Sequence, residues 1–172
     1  MRSGVVLVEP TNSLDIDGRV RDAVERVGSA VDDIVVSCPA GRAEAVEAQL
    51  DGLSYRLATD RVPDGGHVAA MRSGCRVARG RQTCVTTPAA PIRPELLSTL
   101  FEAADRDGAV ARIGGHKRPL LAVYDTEAAI EAAETTLGMG SRAMTQVLER
   151  LDVATVAEPS LARGSEDAER PT

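Results

Sequence analysis

Aromatic residues are scarce in this sequence, which has two tyrosines, one phenylalanine and no tryptophan among its 172 residues. Proteins that bind single-stranded nucleic acid stack the bases on aromatic side chains, so this composition disfavours such a function. The hydrophobic fraction is an ordinary 43%. Valine, leucine, isoleucine and alanine must therefore build the core.

Lysine is nearly absent as well. Lys117 is the only one, and arginine supplies almost all of the positive charge. The net charge of -6 disfavours a protein that binds the phosphate backbone of nucleic acids. We therefore expect no nucleic-acid partner, although a small basic pocket remains compatible with this charge.

Cysteine is limited to Cys38, Cys75 and Cys84, and no CxxC spacing occurs. This pattern indicates neither a zinc site nor a disulfide framework, and it is typical of small buried residues in a reducing cytosol. The apolar run at the N-terminus ends at Glu9 and Pro10, which is too short for a signal peptide or a membrane span. We expect a cytoplasmic protein without membrane contact.

Short apolar runs alternate with segments of helical periodicity along the chain. Val5–Val8 and Asp33–Cys38 are rich in β-branched residues and predict buried strands. Between them, the segment from Gly18 to Val31 carries its apolar residues on one helical face. The same alternation predicts helices over 42–50, 67–79, 94–105, 126–137 and 141–151, and strands over 55–58, 83–86, 109–113, 120–124 and 153–156.

This order of elements predicts an α/β fold with a mostly parallel sheet that is covered by helices on both faces. The hairpin-like pair of strands at 109–124 predicts an antiparallel addition at one edge, and Thr126 is the predicted N-cap of the helix that follows. We expect one domain over residues 1–157. Residues 158–172 form an acidic tail that we expect to be disordered.

In such sheets, ligands bind beyond the carboxyl ends of the strands. The loop after the first strand, Glu9–Asp15, has no glycine and no basic residue to hold a phosphate. Asp60–Gly66 combines a carboxylate with a glycine pair before a helix, which indicates either a ligand-binding turn or a plain connection. Gly114–Arg118 contains the only lysine and indicates either an anion site or a solvated hairpin tip. His67 and His116 belong to no metal-binding motif, so no metal site is predicted.

Four segments carry a resemblance to a known family: Val31–Cys38, Asp60–Met71, Pro91–Leu97, and Pro119–Tyr124 with Gly140–Arg142. In this order and spacing they resemble the MobA-like nucleotidyltransferases, the family of the molybdenum cofactor guanylyltransferases. Val31–Cys38 matches the second strand of the family, and Asp60–Met71 is similar to its aspartate, GPLAG loop and following helix. Pro91–Leu97 resembles the stretch after its metal-binding aspartate, and Pro119–Tyr124 with Gly140–Arg142 resembles its late strand and a glycine-arginine helix start. The resemblance covers residues 3–156.

The resemblance implies a Rossmann-like three-layer nucleotidyltransferase fold and the transfer of guanylate from GTP to molybdopterin with Mg²⁺. It implies that Asp60, Gly65 and Gly66 bind the nucleotide. Lys117 and Arg118 are the candidate substrate-binding residues. No catalytic residue is assigned, and the oligomeric state is not predicted.

The departures from the family pattern fall on the catalytic parts. The glycine-rich first loop is shortened, and the stretch Thr86–Pro91 lacks the carboxylate that binds the metal in the family. His67 and Ala70 replace the proline and the last glycine of GPLAG. Two interpretations therefore remain open. One is a divergent nucleotidyltransferase, and the other is a non-catalytic paralogue that binds a nucleotide, a pterin or a protein partner.

Overall fold

A computed structural model describes residues 1–8, 19–62 and 65–157 of the chain. The loop predicted at Glu9–Asp15 and the tail 158–172 lie outside these residues. The strands of the described part are β1 (Arg2–Leu7), β2 (Asp33–Pro39), β3 (Arg56–Asp60), β4 (Gln82–Thr86), β5 (Gly108–Ile113), β6 (His116–Asp125) and β7 (Val153–Ala157). The helices are α1 (Arg19–Gly28), α2 (Ala43–Gln49), α3 (Gly66–Val77), α4 (Pro94–Ala103), α5 (Thr126–Gly138) and α6 (Met144–Glu149).

The seven strands form one sheet in the order β3-β2-β1-β4-β6-β5-β7. β1 pairs in parallel with β2 and β4, and β2 pairs in parallel with β3. β6 is antiparallel to both β4 and β5, and β7 runs parallel to β5. The mostly parallel sheet with an antiparallel addition towards one edge is thus confirmed.

The side chains of each strand alternate between the two faces of the sheet, and helices cover both faces, which gives three layers. In β1, Val6 packs on the face covered by α1, α2 and α4, whereas Val5 and Leu7 pack on the face covered by α3, α5 and α6. Successive side chains of a strand point to opposite faces, so a strand buried on both sides must be apolar throughout. This requirement explains the continuous valine runs of the central strands.

The three cysteines are buried and free, as predicted. Burial raises the pKa of the Cys75 and Cys84 thiols to about 12, so neither thiol forms the thiolate that nucleophilic chemistry needs. No helix within the described ranges has the length and apolar character needed to cross a membrane.

The predicted cap of α5 was wrong. Asp125, not Thr126, caps the helix, because its carboxylate accepts a hydrogen bond from the backbone N–H of Ala128 at 2.9 Å. The Thr126 hydroxyl instead donates to the carbonyl of Gly80 at 2.7 Å and lies 2.7 Å from the Thr83 hydroxyl. Both groups are buried, so tertiary packing determines the role of Thr126.

α6 is also shorter than the predicted helix over 141–151. Gly140 has a φ of +84°, and Ala143 is in the extended region at the N-cap. The chain between α5 and α6 is therefore an irregular turn, which carries Arg142 towards the start of α3.

Candidate functional site

A hairpin places the two predicted substrate-binding residues beyond the end of the central sheet. The pairing of β6 with β4 begins at Leu121, which lies opposite Thr86, the last residue of β4. Residues 116–120 therefore extend past the carboxyl end of β4. Gly114 and Gly115 close the hairpin with φ of +61° and +81°, a conformation that glycine adopts at no steric cost.

A cavity of about 540 Å³ opens at this end of the sheet. Its polar lining consists of four basic side chains and one hydroxyl, namely His67, Lys117, Arg118, Arg142 and Thr87. Its apolar lining comes from the loop after β4, from the hairpin and from α6: Ala89, Ala90, Pro91, Ile113, Pro119, Leu120, Leu121 and Met144. The cavity thus combines an apolar wall with a cationic rim.

The charge of this cavity has one sign. None of the lining residues that the structure describes is a carboxylate. Lys117 and Arg118 are exposed, and Arg118 donates a hydrogen bond of 3.3 Å to the carbonyl of Ile113. Arginine and lysine at the mouth of an apolar cavity are suited to bind a phosphate or a carboxylate group.

The three predicted nucleotide-binding residues lie at the junction of β3 and α3. Asp60 ends β3 and is not among the lining residues of the basic cavity. Its Oδ1 accepts a hydrogen bond from the backbone N–H of Val62 at 3.0 Å, which forms a local turn. Its carboxylate therefore stabilises the turn at its entry through one of its two oxygens.

The two glycines of this turn are needed for different reasons. A Cβ atom on Gly65 would lie 2.3 Å from the Cβ of Ala69, so a side chain does not fit there. Gly66, the first residue of α3, has a φ of +63°, which strains any other residue. A Cβ on Gly66 would lie 3.8 Å from the carbonyl oxygen of Arg142, which places the turn next to the loop before α6.

One further residue, Arg142, connects the predicted glycine turn with the predicted hairpin residues. Arg142 adjoins Gly66 and lines the same cavity as Lys117 and Arg118. The neighbour of Gly66, His67, lines this cavity as well. Asp60 stands apart from it at the far side of the turn.

Arg142 and His67 are not among the site residues that the sequence predicts. The glycine-serine pair before Arg142 marks a turn after α5, and this signal could have indicated a surface arginine close to a functional loop. His67 carries a comparable signal, since it follows a glycine pair at the start of a helix. Neither signal says which distant residues the side chain meets.

The magnesium ion that the resemblance implies requires oxygen ligands, above all carboxylates. Across residues 1–8, 19–62 and 65–157, no group of three or more histidine, cysteine, aspartate or glutamate side chains is arranged to hold a metal ion. The end of β4 leads into Thr86, Thr87 and Pro88, where no carboxylate is present. The described residues of the cavity therefore fit an anion and do not by themselves fit a divalent cation.

Comparisons with known proteins show the family of the chain. The family model described as "MobA-like NTP transferase domain" matches residues 13–156 of the chain. A probable molybdenum cofactor guanylyltransferase of Natronomonas pharaonis is 35% identical over 164 residues, which cover 88% of this chain and 81% of that protein.

Two solved structures share the fold. Molybdopterin-guanine dinucleotide biosynthesis protein A from Archaeoglobus fulgidus has a TM-score of 0.69 at 18% identity, covering 99% of this chain and 88% of its own. A protein of Aquifex aeolicus has a TM-score of 0.77 at 13% identity, with 94% and 89% covered. At these identities the likeness concerns the fold alone.

Proposed function

The chain belongs to the MobA-like NTP transferase family, and we propose that it transfers a guanylyl group from GTP to molybdopterin and releases pyrophosphate. The observation that carries this proposal is the cationic cavity at the carboxyl end of the sheet, next to the turn between β3 and α3. This is the edge at which open α/β sheets bind their ligands.

The nucleotide is assigned to the side of β3 and α3. Gly66 is exposed and carries no side chain, so a ligand can approach the backbone at the positive end of α3. Asp60 is the acceptor available on this side for a ribose hydroxyl or a base N–H, because only one of its oxygens is used by the Val62 turn. Gly65 fixes the shape of the turn through its contact with Ala69.

The acceptor substrate is assigned to the basic cavity. Lys117 and Arg118 would bind its phosphate, since a guanidinium donates two parallel hydrogen bonds to a phosphate and lysine adds a point charge. The apolar wall around Leu120, Leu121 and Met144 offers a surface for a ring system. A phosphorylated heterocycle has this combination of an anionic and an apolar part.

The chemistry follows from these two assignments. An oxygen of the acceptor phosphate attacks the α-phosphorus of GTP, a new P–O bond forms, and the bond to the β-phosphate breaks with departure of pyrophosphate. Catalysis of such a step consists mostly of positioning and of neutralising the negative charge that accumulates. Lys117, Arg118 and Arg142 supply positive charge at the cavity. Because the described residues do not fit Mg²⁺, no step is assigned to a metal.

A second candidate function is binding without turnover. It is favoured by the loop after β4, in which Thr87 and Ala89 line the cavity and no carboxylate is present. A chain of this kind would hold a nucleotide or a pterin and present it to a partner.

Pyrophosphate release distinguishes the two candidates. Purified protein is incubated with GTP, Mg²⁺ and molybdopterin, with CTP in place of GTP as the control. Release that requires both GTP and molybdopterin supports the proposed transfer. Nucleotide binding without pyrophosphate release supports the second candidate. If the protein shows no binding and no release, both candidates are contradicted.

A variant sharpens this experiment. Ala89→Asp places a carboxylate in the lining of the cavity, in the loop that follows β4. A gain of Mg²⁺-dependent release over the parent would identify a decayed enzyme. Ala89→Asn, which places an uncharged side chain of the same size at the same position, serves as the control for a nonspecific effect.

A further inference from the structure

A second cavity lies beside the basic cavity, between the first turns of α3 and the irregular turn after α5. Its volume is about 430 Å³. It is lined by Val62, Gly65, Arg72, Leu137, Gly140, Ser141 and Arg142. Arg142 lines both cavities, whereas Arg72 and Ser141 line only this one.

Arg72 stands out among the residues that line this second cavity. Its side chain is partly buried, and its Nε is fully buried without a hydrogen-bond partner. No carboxylate of the described residues pairs with it. One helical turn further along α3, Arg76 is paired with Glu134. Within residues 1–8, 19–62 and 65–157, the same helix thus holds one guanidinium with a carboxylate partner and one without.

An uncompensated guanidinium in this position is costly. A buried N–H without an acceptor loses its bonds to water, and the cost is higher when the group is charged. Arginine stays protonated in proteins, so deprotonation cannot relieve this cost. A bound acceptor of negative charge would relieve it.

The neighbours of Arg72 offer donors to the same ligand. The Ser141 Oγ accepts a hydrogen bond from the backbone N–H of Ala143 at 3.3 Å, and its own O–H has no acceptor among the residues described. Gly140, with a φ of +84°, turns the chain so that Ser141 faces α3 across the cavity. The available polar groups are donors, and the ligand they fit is an acceptor.

We infer that this second cavity binds an oxyanion, a phosphate or carboxylate group of a small molecule, on Arg72 and Ser141. The planar guanidinium donates two parallel hydrogen bonds to either group. The site differs from the basic cavity that the proposed transfer uses, and the inference does not depend on that transfer.

The test isolates this site from the basic cavity. In full-length protein carrying Lys117→Gln and Arg118→Gln, inorganic phosphate and acetate are titrated separately and binding is followed by calorimetry. Adding Arg72→Gln is expected to weaken the binding of phosphate, of acetate or of both by about tenfold or more, since a charge-assisted hydrogen bond is lost. The anion whose binding is weakened, phosphate or acetate, identifies the class of oxyanion that the site binds.

Arg76→Gln in the same background is the matched control, because it removes an equal charge from the same helix. It is expected to leave both affinities unchanged. Equal affinities of the Arg72→Gln and Arg76→Gln proteins in both arms would overturn the inference, as would the absence of binding before Arg72 is changed.

Thermal unfolding provides a second readout that does not depend on detecting weak heats. A ligand that binds only the folded state raises the midpoint of unfolding, and the rise increases with the logarithm of its affinity when the ligand is in excess. We expect the responding anion to raise the midpoint of the protein that retains Arg72 and not of its Arg72→Gln derivative. In anion-free buffer the derivative should be at least as stable, because the unpaired charge is gone. An equal anion-dependent rise in the two proteins would contradict the inference.

Discussion

The two ends of the sheet carry similar side chains but arrange them in opposite ways. At the amino end of the strands, a cavity of about 390 Å³ is lined by Asp32, Asp33, Arg56 and Arg79. At the carboxyl end, the basic cavity has three cations and no carboxylate among its described lining residues. At the first end Asp33 and Arg56 neutralise each other in an ion pair, whereas no carboxylate is present among the described lining residues of the second.

Asp33 shows how complete this neutralisation is. Its carboxylate accepts hydrogen bonds from the Ser3 hydroxyl at 2.7 Å, from the Arg56 Nη2 at 2.6 Å and from the backbone N–H of Arg79 at 2.9 Å. A carboxylate with so many donors is part of the structure. The pairing of charges, more than their number, separates a structural polar cluster from a binding site.

The largest expected effect comes from removing charge at the carboxyl end. Lys117→Gln combined with Arg118→Gln should lower kcat/KM for nucleotidyl transfer by about a hundredfold or more, because two charge-assisted contacts to phosphate are lost. The assay is pyrophosphate release at several concentrations of the acceptor.

Arg79→Gln combined with Arg81→Gln is the matched control for that double variant. It removes the same charge near the amino end and should leave kcat/KM unchanged. If both double variants lose activity equally, overall charge and not the basic cavity is responsible, and the comparison of the two ends fails.

At the amino end, Asp33→Asn should affect stability and spare function. The change leaves Arg56 without its ionic partner, and we expect a loss of about 2 kcal/mol in the free energy of unfolding. Urea denaturation measures this loss, and GTP affinity should match that of the parent. If the free energy of unfolding of Asp33→Asn equals that of the parent, the cluster around Asp33 contributes little to stability.

The stability effect of Asp33 should also depend on pH. Burial raises the pKa of this carboxyl, but the hydrogen bonds from the Arg79 amide, Ser3 and Arg56 outweigh burial and hold the pKa below its ordinary value. The contribution of Asp33 is therefore present above the pKa of the unfolded chain, about 3.9, and is lost as pH falls through the lower folded pKa. The parent and Asp33→Asn should converge in stability below about pH 4, and a difference that stays constant down to pH 2 would refute this.

Gly66 tests the turn that connects β3 with the site. Gly66→Ala should cost about 1–2 kcal/mol, because its φ of +63° lies in the left-handed region. Gly138→Ala is the control, since its Cβ meets nothing within 4 Å and alanine favours the helix. Thermal unfolding should show a lower midpoint for the first variant only, and an unchanged midpoint of Gly66→Ala would mean that the turn adapts easily.

The smallest expected effect is that of Asp60 on nucleotide affinity. Asp60→Ala and Asp60→Asn should both weaken GTP binding by about fivefold, because the charged acceptor is lost. Only the alanine variant should lose stability, since asparagine can still accept from the Val62 N–H. If Asp60→Ala binds every nucleotide and pterin as tightly as the parent does, Asp60 does not contact a ligand. If only Asp60→Asn binds as tightly as the parent does, the role of Asp60 is restricted to the turn.

The sheet could be predicted because its signals are local. Runs such as Val5–Val8 have to be apolar on both faces of a parallel sheet, and Pro94 marks the start of a helix within the chain itself. The cap of α5 could not be predicted in this way. Asp125 and Thr126 are both good caps in isolation. The buried hydrogen bond from Thr126 to Gly80, which lies 46 residues earlier in the sequence, decides between them.

The site could be predicted only in parts. Gly114–Arg118 left a hairpin tip and an anion site as alternatives, and the structure contains the hairpin with Lys117 and Arg118 at a cavity. That arrangement depends on the register that sets Leu121 opposite Thr86. The approach of Arg142 and the isolation of Arg72 depend on packing between α3 and the turn after α5, for which periodicity offers no signal.

The proposed function requires that the carboxyl end of the sheet binds a nucleotide for transfer. Calorimetric titration of the full-length protein with GTP, with and without Mg²⁺, tests this claim most directly. We predict saturable binding that pyrophosphate competes away and that Asp60→Ala weakens more than the Arg79→Gln and Arg81→Gln double variant. The absence of binding at millimolar GTP, with or without Mg²⁺, would contradict it.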